Sequence, residues 1–443
     1  MGDLADARGL AYSVRAFRHR DYLIFWCGAL ASNVGTWLTN LAVPYVLYEL
    51  TQSAFWVGLA ALAQFLPGVL CAPLGGSLAD RFDRRRLLLA TQAGGALAAA
   101  GLCVLWFVGR HEPVAIMAVM AVSGVFHGIN LPSWQSFVND LVPRADLTSA
   151  IALNSLQFNA ARSIGPAIAG LLLATLGPGW AFLLNALSFG FVIWALFTVR
   201  ARPRPGAVPG TAGTFSGFAE ALRYVRGQRG IQVAIIVSVL IGFFANPIFG
   251  FTVVFADEIF TVGAVGLGLL NAALGIGSLL AAPLVSGGFL RLTLSRMVRW
   301  ALPLCALGML GFAAAPNLPL AALSLMLVGA SFLAVVSSAN TAIQLIVADH
   351  VRGRVLAVRI MIFTGSFPLG ALGQGWLSDR VGPQVTVAGG AVALGLLALA
   401  FGGWRGGAVL RRLDDPRDRS GPGAPGGVPK DGTLRACAPG SEA

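Results

Sequence analysis

An all-α polytopic membrane protein, with twelve transmembrane helices in two pseudo-symmetric six-helix bundles, is the fold class this sequence predicts. Three observations predict it. The 443 residues are 56% hydrophobic and 11% charged, with mean hydropathy +0.75, against about 25% charged in soluble domains. Apolar stretches, each near the roughly 20 residues a helix needs to cross a bilayer core, follow one another with little between them. The chain also repeats itself. Gly58-Leu59 through Ala72-Pro73-Leu74 maps onto Gly268-Leu269 through Ala282-Pro283-Leu284 at an offset of 210, Gly165 and Gly170 map onto Gly370 and Gly375 at 205, and Gly124 onto Gly329.

In order, the spans bounded by charges, Gly and Pro are 22–47, 54–78, 87–108, 114–138, 147–175, 180–199, 231–256, 262–290, 298–314, 318–347, 355–377 and 384–401. Residues 1–21 are polar and Arg-bearing, lack a small-residue cleavage site, and read as a cytoplasmic amino terminus. The first bundle is 22–199, a linker 200–230, the second bundle 231–403, and 404–443, rich in Gly, Pro and charge, a disordered cytoplasmic tail. Within the linker, RARPRPGAVPGTAGT cannot form a helix. Phe215, Phe218, Leu222 and Val225 then recur at helical spacing, which fits either an interfacial helix on the inner leaflet or a stem continuing into the seventh span.

Orientation follows from Lys and Arg, which accumulate in cytoplasmic loops. Of the 31, the side holding both termini takes 28, Arg352, Arg354 and Arg359 among them; the opposite side takes Arg110 and Arg380, and Arg162 falls inside a span. Both termini are therefore expected in the cytoplasm, with the chain multi-pass in a bacterial-type inner (plasma) membrane. The net charge of +12 is thereby accounted for by membrane loops rather than by a nucleic-acid partner. Cys27, Cys71, Cys103 and Cys305 lie in apolar stretches and Cys437 in the tail, a pattern that implies neither disulfides nor a metal site. No cofactor is expected.

Residues 75–86, GGSLADRFDRRR, pack six charges into a short loop between two spans. Gly76, Leu78, Ala79, Asp80, Arg81, Arg84 and Arg85 resemble the G-x-L-A-D-R-x-G-R-R loop between helices two and three of the major facilitator superfamily, and Asp83 in place of glycine resembles its enterobactin-exporter-like branch. The resemblance spans about residues 17–403. It implies a conformational latch in which Asp80 faces the start of helix eleven and pairs with Arg84 and with Asp140. The equivalent loop of the second half has no acid, so the latch is expected on one side only.

AARSIGPAIAG, residues 160–170, resembles the antiporter signature of helix five through Gly165, Pro166 and Gly170, with Ala161 and Ala169 where glycine is usual. Small residues there also serve plain helix packing. Arg162 lies midway along the same span, where a charge costs about 2.5–3.5 kcal/mol unless it faces water or a partner. It reads as a cavity or gate residue, or as a structural one reaching the inner loops.

Asn33, Thr36 and Asn40 in span one, Asn130, Ser133 and Trp134 in span four, Asn246 in span seven, and Asn340, Thr341 and Gln344 in span ten place polar groups on the four helices that line the central path in the resembling fold. Interhelical glue explains any one of them equally well. No Asp or Glu falls mid-span, so proton coupling rests on the resemblance, with Glu49 and Asp257 at outer ends as its candidates. Scattered histidines supply no constellation for a membrane enzyme. The function read is secondary active transport of a small organic solute by a monomer, as efflux of drug-like or siderophore-like metabolites with protons as possible coupling ion. A facilitator-type importer, and a non-transporting sensor or scaffold, are the alternatives.

Overall fold

Each predicted span coincides with a helix over its described residues in the computed structural model, which describes residues 14–199, 214–285, 292–348, 351–402 and 407–414; residues 286–290 of the span 262–290 lie outside them. In chain order they are α1 (Arg20–Thr51), α2 (Ala54–Arg81), α3 (Arg84–Phe107), α4 (Pro113–Leu141), α5 (Leu147–Thr175) and α6 (Pro178–Thr198). The second half continues with α7 (Arg229–Ile259), α8 (Gly263–Val285), α9 (Leu294–Ala313), α10 (Leu318–Ile346), α11 (Arg352–Val381) and α12 (Pro383–Gly402). No strand occurs among the described residues. Residues 1–13, 200–213 and the tail from 415 lie outside them, as does the side chain of Asp80.

Ten of these helices are long and apolar enough to cross a bilayer by composition alone, and α1 and α5 are the other two. Their 32 and 29 residues span more than 40 Å at about 1.5 Å per residue, which exceeds a hydrocarbon core of about 30 Å. Polar side chains dilute both: Asn33, Thr36 and Asn40 in α1, and Asn154, Ser155, Asn159 and Arg162 in α5.

The sequence repeat is a packing repeat. A Cβ built on Gly124 of α4 would lie 2.1 Å from the Gln64 carbonyl oxygen of α2, and one on Gly329 of α10 2.0 Å from the Leu274 carbonyl oxygen of α8. These pairs are mates at the offsets of 205 and 210 read above. Between the halves the same holds. A Cβ added to Gly170 would lie 2.7 Å from the Ala264 carbonyl oxygen, and one on its mate Gly375 2.5 Å from that of Ala54; a Cβ on Gly268 would lie 2.8 Å from the Pro166 carbonyl oxygen, and one on Gly58 2.4 Å from that of Ala371. Absence of a Cβ lets these backbones touch. Two related seams result, α2 against α11 and α5 against α8.

Call the end that carries both termini the near end and the opposite one the far end. The α2–α11 seam runs from Gly375 at the far end through an edge-on contact of Phe65 with Phe367, centroids 5.0 Å apart, to Val69 beside Gly365. Nearer the termini, a Cβ on Gly76 or Gly353 would meet nothing within 4 Å. At the far end two turns also repeat at 205: Gly177-Pro178 and Gly382-Pro383, with φ +86° and +89° at the glycines. Glycine adopts that left-handed backbone without strain, and proline then starts the next helix.

Thr214–Gly227 forms a separate linker helix. It does not continue into α7 as a stem, because Gln228 is extended and the Gln232 side chain donates to the Val225 and Arg226 carbonyls at 3.1 and 2.7 Å. Ala221 and Val225 are buried in protein, Arg354 of α11 pairs with Glu220 at 2.5 Å, and the Ala348 amide donates to the Tyr224 hydroxyl at 3.2 Å. The helix thus straps the near end of the second half.

Candidate transport pathway and gates

Arg162 stands where the halves meet. Its guanidinium carbon lies 4.2 Å from the ring centre of Phe249 in α7, 5.2 Å from Phe332 in α10 and 6.0 Å from Trp37 in α1. Three helices besides its own therefore cage it in aromatic faces, each worth about 0.5–2 kcal/mol to a desolvated cation. No salt bridge reaches it among the described residues, and its buried Nε has no hydrogen-bond partner. It does not extend to the inner loops. Ser155, Phe158, Asn159 and Arg162 follow one helical stripe, of which Ser155 and Phe158 are exposed.

A second arginine was placed wrongly by the charge count. Arg359 is not a loop residue but lies inside α11 with 4% exposure, leaving 27 Lys and Arg on the near side. Its donors reach the Asn340 Oδ1 at 3.2 Å, the Val336 carbonyl at 3.0 Å and the Ser238 Oγ at 3.4 Å. The span 355–377 read from hydropathy already contained it, which was the available signal. Its guanidinium lies 6.0 Å from the Phe363 ring, which is 6.2 Å from Phe332. Arg162, Phe332, Phe363 and Arg359 thus form one ladder from midplane toward the near end.

Other polar candidates divide. Thr341 and Gln344 are exposed on α10 beside Asn340, and Asn33 on α1 is partly exposed. Asn40 accepts from Gln64 at 2.9 Å, tying α1 to α2, and Thr36 donates to Ser32 in its own helix at 3.0 Å. Asn130 is a correction: its Oδ1 accepts from Thr91 at 3.0 Å and Gln92 at 3.3 Å, so it joins α4 to α3 instead of facing the central path. Ser133 is fully buried, and Trp134 donates to Asn154 across α4 and α5 at 3.4 Å. Asn246 sits at the Ala245–Pro247 break of α7, where proline removes a backbone donor. Gly165 packs on Trp37, whose Cβ would be 2.5 Å from an added Cβ, while Gly170 and Pro166 belong to the α5–α8 seam.

At the near end Arg84 bonds Asp140 at 2.8 Å, within the first half. Asp83, the departure from the resembling loop, caps α3 by accepting from the Arg86 amide at 2.9 Å. Arg81 is exposed, and a Cβ added to Gly76 would meet nothing described within 4 Å. The far end is where the halves are bonded. Asp379 at the end of α11 accepts from the Ala54 amide at 2.7 Å, the Phe55 amide at 3.2 Å and the Ser53 hydroxyl, so it caps α2 from the other half. Tyr48 of α1 donates to Glu258 of α7, and Tyr45 to Glu49. Glu49 and Asp257 line a small crevice there with Tyr45 and Tyr48. Asp379, Glu258 and the aromatic cage were not singled out from sequence, because their partners are remote in the chain.

The family described as transmembrane secretion effectors, a branch of the major facilitator superfamily, has a sequence model that matches residues 11–406. The chain belongs to that family. It is 27% identical over 410 residues to the multidrug efflux pump Tap of Mycobacterium tuberculosis, covering 89% of this chain and 94% of that one. It is 28% identical over 187 residues to the enterobactin exporter EntS of Shigella boydii, covering 42% and 45%. Its fold is shared by a bacterial homologue of the human lysosomal transporter Spinster, solved inward-facing and unoccupied, with TM-score 0.69 at 16% identity over 92% of this chain and 99% of that one. The chain is accordingly a multi-pass membrane transporter and not an enzyme.

Proposed function

We propose that this transporter exports drug-like or siderophore-like organic metabolites from the cytoplasm by alternating access, as a monomer exchanging substrate for protons. The observation that carries this is the pair of symmetry-related seams packed tightly at the far end, with space around Gly76 and Gly353 at the near end of the α2–α11 seam and Arg162 between the halves. With 27 Lys and Arg on the near side, that side is cytoplasmic. The arrangement is then closed to the outside and open to the inside, ready to take substrate from the cytoplasm. The efflux relatives support the direction.

Export requires the far end to open, which means releasing Asp379 from α2 and Tyr48 from Glu258. Glu49, Asp257 and Glu258 are clustered at that gate, where an antiporter takes up its proton from outside. On the near side, Arg84 and Asp140 are already paired, and Asp80 completes the latch on the start of α11 when the near end closes. The test is flux in everted vesicles. Acidifying the lumen should drive accumulation of a fluorescent drug in vesicles holding the wild-type chain, and Arg162→Ala should abolish it. Drug leaving preloaded everted vesicles under that gradient, with no accumulation, would refute export.

A further inference from the structure

We propose that the Arg162 site takes an organic anion with an aromatic body, its acid group on the guanidinium and its ring among Trp37, Phe249 and Phe332. This rests on the transport reading and adds the substrate class. Within the twelve long helices, every described Asp and Glu lies at a helix end. No described carboxylate therefore neutralises Arg162 or Arg359, and both put positive charge in the middle of the protein. The two arginines differ in how they are satisfied. Arg359 is bonded to Asn340, Val336 and Ser238, which fixes it in place. Arg162 has its Nε buried without a described partner and three aromatic rings within 6.0 Å of its guanidinium carbon.

A guanidinium held in that way lacks what it binds best, which is a planar acid group accepting two parallel N–H bonds. An anionic solute supplies them and lifts the cost of the unpaired charge at midplane. A cationic solute meets repulsion from both arginines, and a neutral one offers no compensation. The rings select the remainder of the ligand. Phe249, Phe332 and Trp37 present apolar faces suited to a flat aromatic body, and Phe363 with Arg359 extends the same surface toward the near end. Arg162 is the seat, and Arg359, already bonded to its own neighbours, adds its positive charge to the field an anion meets there.

The experiment uses the full chain in lipid nanodiscs and three isosteric probes: naphthoate, naphthamide and naphthylmethylammonium. Titration calorimetry should give naphthoate binding at least about tenfold tighter than either of the others, equal to about 1.4 kcal/mol. Arg162→Gln should remove that preference while leaving naphthamide affinity unchanged. Phe332→Leu should weaken naphthoate and naphthamide alike. If Arg162→Gln does not fold, Arg162→Lys serves, with the preference reduced because an ammonium lacks the planar fork. Equal affinity for naphthoate and naphthamide, no saturable naphthoate binding, or an unchanged preference in Arg162→Gln would each overturn the assignment. The export reading is tested apart from this. Anion binding with flux directed inward refutes export alone, and outward flux of cationic solutes without anion binding refutes the substrate class alone.

Discussion

Asp379→Ala tests the far gate most directly. The carboxylate accepts two backbone N–H bonds, from Ala54 and Phe55, and one hydroxyl bond from Ser53 across the boundary between the halves. A cap residue contributes about 0.5–2 kcal/mol, and a negative charge at a helix amino terminus adds about 0.3–1 kcal/mol. Asp379 is exposed at the protein rim, where solvent screening keeps the sum low; about 1–2 kcal/mol is the working figure. The bond exists only while the far end is closed, so the whole loss falls on that state. The ratio of far-closed to far-open molecules should drop about 5–30-fold. Spin labels on Leu50 and Val381, exposed residues at the far ends of α1 and α11, would read this in a cysteine-free background as growth of a longer-distance population. Asp379→Asn, which keeps an acceptor but loses the charge, should fall between. An unchanged distance distribution in Asp379→Ala, with the protein folded, would refute the idea that this cap is a gate.

Glycines of the two kinds of contact should behave differently. Gly124→Ala pushes a methyl against the Gln64 carbonyl inside one half and should lower thermal stability by several degrees, an overpacking cost of about 1–3 kcal/mol, without altering the far-end distances. Gly170→Ala, against Ala264 and Gly268 of the other half, should leave stability nearly intact and raise the far-open population in the same spin-label measurement. At the near latch, Asp80→Asn should lower turnover in vesicle flux more than substrate affinity, because it loosens the state closed to the cytoplasm; equal turnover would count against the latch. Arg359→Gln strands the Val336 carbonyl and Asn340 in a buried site and should cost several degrees in a melt, with Arg359→Lys recovering part of it.

The crossings and the pseudo-twofold arrangement were legible because both are written locally. A run of apolar residues forms a helix in lipid whatever its neighbours are, since the bilayer offers no other partner for backbone N–H and C=O groups. Gly124, Gly329, Gly170 and Gly375 were visible as repeat mates because close backbone approach leaves no room for any other residue. The DRRR turn likewise announced itself through charge density alone.

Pairing across distance was not legible, and it decides most of the site. Whether Asn130 faced the path or α3 depended on Thr91 and Gln92. Arg359 lies inside the span 355–377 yet is counted with the loop charges, and only the bonds to Ser238, Val336 and Asn340 show what holds it there. Asp379 caps a helix that starts more than three hundred residues earlier in the chain, and Arg162 owes its cage to three other helices. Sequence alone determined how many helices cross, how the halves correspond and where small residues must lie, because solvent transfer and steric exclusion act on each segment singly. Tertiary structure alone decided which end is shut and which arginine lacks a partner, because a hydrogen bond or an ion pair is a property of two groups and not of either one.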